Sequence, residues 1–237
     1  MKNPGLYILI FFLFISCEAS AQLNFTETNN GGFVQFGDMN GRSLRNEKYD
    51  PAIEGTPFIN PDWADADLLT TGGQLVKNVK VKLNIESNEL YYLDAANTTW
   101  IALDGKVKKI SYINLISNEN IPFVFQNGYP AFDNKNENYY YQVLCSGKIS
   151  LLKKQYKNIE IFKNPLSGEQ RKEFVEYSRY YVFSAAGMEP FKNSKEYLVK
   201  LMNDKGEATK QYLDENKINF KKIPDLMKLI SFYNELK

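Results

Sequence analysis

Paired carboxylates beside an aromatic ring are the residues here whose types and spacing come closest to a reaction. Asp62, Asp65 and Asp67 surround Trp63, and Asp133 stands near Glu137. Two carboxyls facing one another across a cleft can cleave a glycosidic bond, one as the acid and the other as base or nucleophile. Acidic residues two apart in a loop can also begin a calcium site. The Asp62–Asp67 run, however, lacks the glycine and the distal glutamate of such a loop. Cys145 is a further nucleophile candidate, and a thiol doing chemistry wants a base beside it. The chain contains no histidine at all. Ser-His-Asp and Cys-His sites and histidine-based zinc sites are therefore excluded within it. No glycine-rich phosphate loop or dinucleotide fingerprint is present either. The acidic groups read as solvated loop charge and Cys145 as a small buried apolar residue. No catalytic residue, cofactor or metal ligand is assigned.

The aromatic residues are the second set with something to offer. There are 16 Tyr and 16 Phe, with runs at Tyr91-Tyr92, Tyr139–Tyr141 and Tyr180-Tyr181. Consecutive side chains on a strand point to opposite faces, so each run must send one ring away from the core. Tyr91, Tyr92, Tyr140, Tyr181 and Trp63 are the candidate partner-binding aromatics, suited to stacking on a sugar or docking on a protein. Cross-strand aromatic pairing accounts for the same runs more simply. Lys153-Lys154, Lys157 and Lys221-Lys222 read as solvated surface. With 29 basic and 28 acidic residues the chain has no field for a polyanion, and nucleic acid is not an expected partner.

The chain opens as a targeting segment. Met1 and Lys2 are positive, Leu6–Ile15 is apolar, and Ala19-Ser20-Ala21 fits a small-x-small cleavage site before Gln22. An apolar run of about 10 residues is too short for a bilayer, which needs about 20, so no transmembrane segment is expected in the mature chain. Phe14-Ile15-Ser16-Cys17 offers a second outcome, lipidation at Cys17, although Phe14 stands where a lipoprotein box usually has leucine. Either route gives an exported protein, periplasmic or extracellular in the first case and lipid-anchored in the second.

The elements that would position these residues follow from periodicity. Residues 22–53 are rich in Asn, Gly and Asp and read as a flexible leader, with a short strand at Phe33–Phe36. Val79, Val81, Leu83 and Ile85 alternate with Lys80, Lys82, Asn84 and Glu86, which predicts a half-buried antiparallel strand with the second set in water. Strands are also expected at Asp67–Thr71, Glu89–Asp94, Thr98–Leu103, Val107–Tyr112, Pro122–Gln126, Tyr139–Cys145, Ile149–Gln155 and Ile159–Phe162. Glu169–Ser184 is open between helix at its start and strand at its end, and Met188–Lys192 continues the pattern. From Asn193 the period lengthens. Ser194 can cap a first helix, Asn216 can stop a second, and Pro224 with Asp225 can open a third. The fold class is thus α+β: a meandering antiparallel β-sheet, rolled or sandwich-like, followed by about three short C-terminal helices. The divisions are 1–21 signal peptide, 22–53 leader, 54–192 β-rich domain and 193–237 helices packed on the sheet.

Three stretches carry a resemblance. Ala19-Ser20-Ala21-Gln22 looks like the signal ending of exported proteins of the Bacteroidota. Gly55-Thr56-Pro57-Phe58-Ile59-Asn60-Pro61-Asp62-Trp63, followed by Gly73-Gln74-Leu75-Val76-Lys77-Asn78-Val79, is similar to a family of exported proteins there whose function is not known. The tail is similar too, in Phe220-Lys221-Lys222, Asp225–Ile230 and Tyr233-Asn234. The resemblance spans about residues 54–237, implies export and a β-then-α order, and brings no catalytic residues. The expected role is non-catalytic binding or assembly in the cell envelope, with an envelope protein or a glycan as partner and no cofactor. The alternatives are a carboxylate-based glycan hydrolase and a carrier of an apolar ligand in a rolled sheet.

Overall fold

Val79, Val81 and Leu83 are buried along one side of a strand running Leu75–Asn84, as their period requires. The computed structural model describes residues 41–43, 49–118 and 121–236; the signal segment, Cys17 and the strand expected at Phe33–Phe36 lie outside these. The strands are β1 (Gly41–Ser43), β2 (Ile53–Glu54), β3 (Ala64–Thr70), β4 (Leu75–Asn84), β5 (Glu89–Leu93) and β6 (Thr99–Ala102). They continue as β7 (Val107–Ile116), β8 (Pro122–Gln126), β9 (Tyr141–Cys145), β10 (Ser150–Lys163), β11 (Gln170–Ser184) and β12 (Gly187–Pro190). Helices α1 (Lys195–Leu201), α2 (Gly206–Glu215) and α3 (Ile223–Glu235) follow, with a 3-10 turn at Asn203–Lys205.

All 12 strands belong to one open sheet, ordered β1-β6-β5-β4-β3-β7-β8-β9-β10-β11-β12. Every pairing on this path is antiparallel, and β2 adds to β11 in parallel. The expected α+β class, a meandering antiparallel sheet with three short helices behind it, is therefore what the chain adopts. One expectation needs revision, and one stretch left open is settled. Ile159–Phe162 is no separate strand but the far part of β10, which pairs without interruption to β11 from Ser150↔Phe183 to Lys163↔Gln170. The stretch Glu169–Ser184, left open between helix and strand, is strand from Gln170 onward, because a continuous partner overrides weak helical preference.

The sheet curls so that distant strands meet. The segment 56–59 lies along the end of β4, with Ile59 N donating to Leu83 O at 2.9 Å and Ile85 N to Pro57 O at 3.0 Å. Lys157 N on β10 then donates to Ile85 O at 3.3 Å. Inside the curl pack Leu68, Val81, Leu83, Ile110, Tyr112 and Phe125. A second core lies between β9–β11 and the helices, where Leu144, Leu151 and Val182 meet Leu198, Leu226, Leu229 and Ile230. Tyr129, Tyr139, Tyr141, Leu152 and Tyr181 form a third core elsewhere on the sheet. Sheet residues thus have partners on both faces over much of β9–β11.

The helices start and dock as their sequences direct. Ser194 Oγ accepts from Tyr197 N at 3.2 Å and caps α1. Pro224 occupies the first turn of α3. Asn234 fixes the end of α3 to the start of β10, accepting from Ile149 N at 2.9 Å and donating to Ile149 O at 2.8 Å.

Candidate functional site

The acidic residues of the sequence do not come together. Asp65 pairs with Lys80 across the β3–β4 ladder at 3.2 Å, Asp67 accepts from Asn78 N at 3.0 Å, and Asp62 stays exposed. Glu137 is exposed and Asp133 is engaged elsewhere. Among the described residues no three His, Cys, Asp or Glu side chains gather as a metal site. Cys145 lies buried under α3, its thiol 3.5 Å from Met227 O, and burial pushes its pKa up. That is the opposite of an activated thiolate.

The candidate aromatics turn inward. Tyr92 and Tyr140 join the core inside the curl, and the Tyr140 hydroxyl donates to Val107 O at 2.6 Å. Tyr91 faces the other way but meets Phe58 edge-on, ring centres 5.2 Å apart. Tyr181 enters the third core, in edge contact with Tyr141 and Phe132. Trp63 is half-buried beneath the Lys82 ammonium, 5.2 Å from its ring. Each run does split between faces, but side chains receive its rings on both: Tyr92 and Tyr140 inside the curl, Tyr139, Tyr141 and Tyr181 in the third core, and Tyr180 against the second. None of the four tyrosines presents an open face.

Asp133 is the centre of the polar arrangement that the sequence did not disclose. Phe132 and Lys135 pair through both backbone bonds, with Asp133 (φ 50°) and Asn134 (φ 57°) between them. Two consecutive left-handed residues make a two-residue type I′ hairpin, for which Asp and Asn are suited. This turn lowers the Asp133 carboxylate onto β10 and β11. It accepts from Lys154 Nζ at 2.6 Å, from the Tyr181 hydroxyl at 2.6 Å and from Arg179 at 3.4 Å. Lys154, read from sequence as solvated, is only 5% exposed. Lys154 first, then Tyr181, hold the Asp133 carboxyl down to about 2. Lys157, also read as solvated, is half-buried and donates to Thr56 O and Phe58 O at 2.9 and 2.8 Å. Asn84, placed in water by its alternation, is fully buried because its Oδ1 accepts from Glu86 N and Ser87 N across the β4–β5 turn.

Beside this turn a cleft of about 550 Å³ opens between the β4–β5 turn, the end of β6 and residues 134–140. Asn88 (φ 61°) closes its base, donating to Asn138 O at 3.1 Å and accepting from Tyr140 N at 2.9 Å. Arg42 pairs with Glu89 on one wall. On the opposite side the Lys135 ammonium sits over the Tyr139 ring, 4.9 Å from its centre.

The other exposed feature is the far half of the β10–β11 hairpin. Beyond Lys157, the β10 edge away from β11 has no strand beside it among the described residues. Ile161 is 62% exposed and Leu166, at the turn, 97%. Ile159 and Phe162 are also exposed. Among the described residues no helix is long and apolar enough to cross a membrane. No family model, curated protein or solved structure matches the chain, so its own geometry is what speaks for its role.

Proposed function

We propose that this is an exported protein of the cell envelope, of the Bacteroidota type its signal and tail resemble, that binds or assembles with another envelope protein and performs no chemistry. Export follows the signal reading, with cleavage after Ala21 or lipidation at Cys17. The observation that carries the binding role is the edge of β10 between Asn158 and Lys163, which no strand among the described residues flanks. Natural edge strands are blunted by prolines, lysines or bulges. The run Asn158-Ile159-Glu160-Ile161-Phe162 has one charge and no proline, and it leaves Ile159 and Ile161 exposed on one face. Backbone groups in a row with alternate apolar side chains are what an added partner strand uses. The interior of the curl is filled by side chains, which favours this reading over a carrier, and the dispersed carboxylates favour it over a glycosidase.

The test is photo-crosslinking from position 161 in native envelope, with capture through a C-terminal tag. A stoichiometric partner crosslinked at this position, and lost when Ile159→Lys is added, is the expected result. A partner retained equally by the Ile159→Lys variant, or sugar release by the purified protein, defeats the reading.

A further inference from the structure

We infer that the cleft beside the Asp133-Asn134 turn is a binding site for a neutral saccharide. At about 550 Å³ it lies within the roughly 300–1,000 Å³ that small-ligand sites occupy. Its charges cancel, with Arg42 and Lys135 against Glu89 and Asp104. A phosphorylated or acidic ligand would need a surplus of cations, and a basic one a surplus of carboxylates. Neither exists here, so the cleft selects for a ligand without charge.

What the cleft does offer is hydrogen bonding in both senses. Among the described residues the Asn134 side chain and the Lys135 ammonium make no hydrogen bond. Among the described residues Asp104 likewise has no contact closer than the 3.5 Å from Asn138. The cleft thus holds donors and acceptors together, which suits the hydroxyls of a sugar, each able to give and to accept. Leu103, 40% exposed, supplies an apolar face for ring carbons. A peptide side chain would find too little apolar depth here, and the floor tyrosines, Tyr139 and Tyr140, are already covered.

The frame is rigid where it matters. Asn88 staples the β4–β5 turn to Asn138 and Tyr140, and Asp133 pins the Asn134 turn to Lys154 and Tyr181. A ligand therefore meets a preformed site and does not have to order a loop. This inference stands apart from the β10 edge, and either can fail alone.

The experiment is isothermal titration calorimetry of the whole mature chain with three neutral probes, N,N′-diacetylchitobiose, cellobiose and maltotriose, and with glucuronate as the anionic control. At least one neutral probe is expected to bind, and Asp104→Asn with Lys135→Gln to weaken it by about tenfold or more. Asn136→Trp, from an exposed position at the mouth, should block it while Leu166→Asp leaves it unchanged. The inference is overturned by heats from none of the neutral probes, by tighter binding of glucuronate, or by undiminished affinity in both cleft variants.

Discussion

Lys154 carries its charge into a site where it is 5% exposed, and Asp133 is the carboxylate that makes the burial tolerable. A buried ammonium without a partner is costly, so removing the carboxylate does more harm than the pair does good. Asp133→Asn keeps the shape of the turn and deletes the charge. It should lower unfolding free energy by about 2 kcal/mol at neutral pH, the scale of a hydrogen bond to a charged group. Because folding depresses this carboxyl from an ordinary value near 3.8 to about 2, its support is complete above that ordinary value. The support is lost as pH falls towards about 2. Urea unfolding of both proteins should therefore show a constant gap from neutral pH down to about 5, closing as acid is added. A gap independent of pH would remove the ion pair from the explanation. Nothing in the sequence marked Lys154 apart from Lys153, since both interrupt an apolar run. The difference lies in which face the Asp133 turn folds over, and that is set by a residue 21 positions away.

At the scale of elements, the close approach of Gly147 to α3 is the most demanding contact. A methyl group at Gly147 would lie 2.5–2.8 Å from side-chain atoms of Asn234, including its Cβ. Gly147→Ala must push Asn234 away and break its two bonds to Ile149. The expected loss is about 2–3 kcal/mol, and the exchange of amides in α3 should rise before those in β4–β5. Equal exchange throughout would show that the helix is not held at this point. The helices and most strands, though not the short β1 and β2, were legible, because Val79–Ile85 keeps a two-residue period and because Ser194 and Pro224 mark helix starts. A rolled sheet was one of two expected forms, but the place where it curls together was not legible. It depends on Pro57, Leu83 and Lys157 meeting across the sheet, and pairwise contacts at such separation leave no local pattern. For the same reason Tyr91 could not be seen to have Phe58 opposite it, and paired rings looked like exposed ones. The cleft escaped notice too: its walls come from the β4–β5 turn and from residues 134–140, and asparagines in turns look alike whether or not they face a cavity.

For the whole molecule, the ammonium of Lys157 joins the entry segment to the root of the long hairpin through Thr56 O and Phe58 O. Lys157→Met keeps the stem and loses both bonds. Its effect should be local opening, with faster hydrogen exchange at Ile59 and Ile85 and unchanged exchange in α1–α3. Uniform acceleration would mean that the sheet opens as one unit and that this contact is no separate latch. The pair it joins is 101 residues apart in sequence. Such separation has a kinetic side. Ile53–Glu54 is made early on the ribosome yet forms its ladder, among the described residues, with Lys172–Glu173, so it must wait for more than a hundred residues to be synthesised. Until then the nascent chain holds unsatisfied strand edges, and non-local closure of this kind is slow and prone to aggregation. Late closure, with its edges open until the far hairpin arrives, is what this seam implies for how the chain folds.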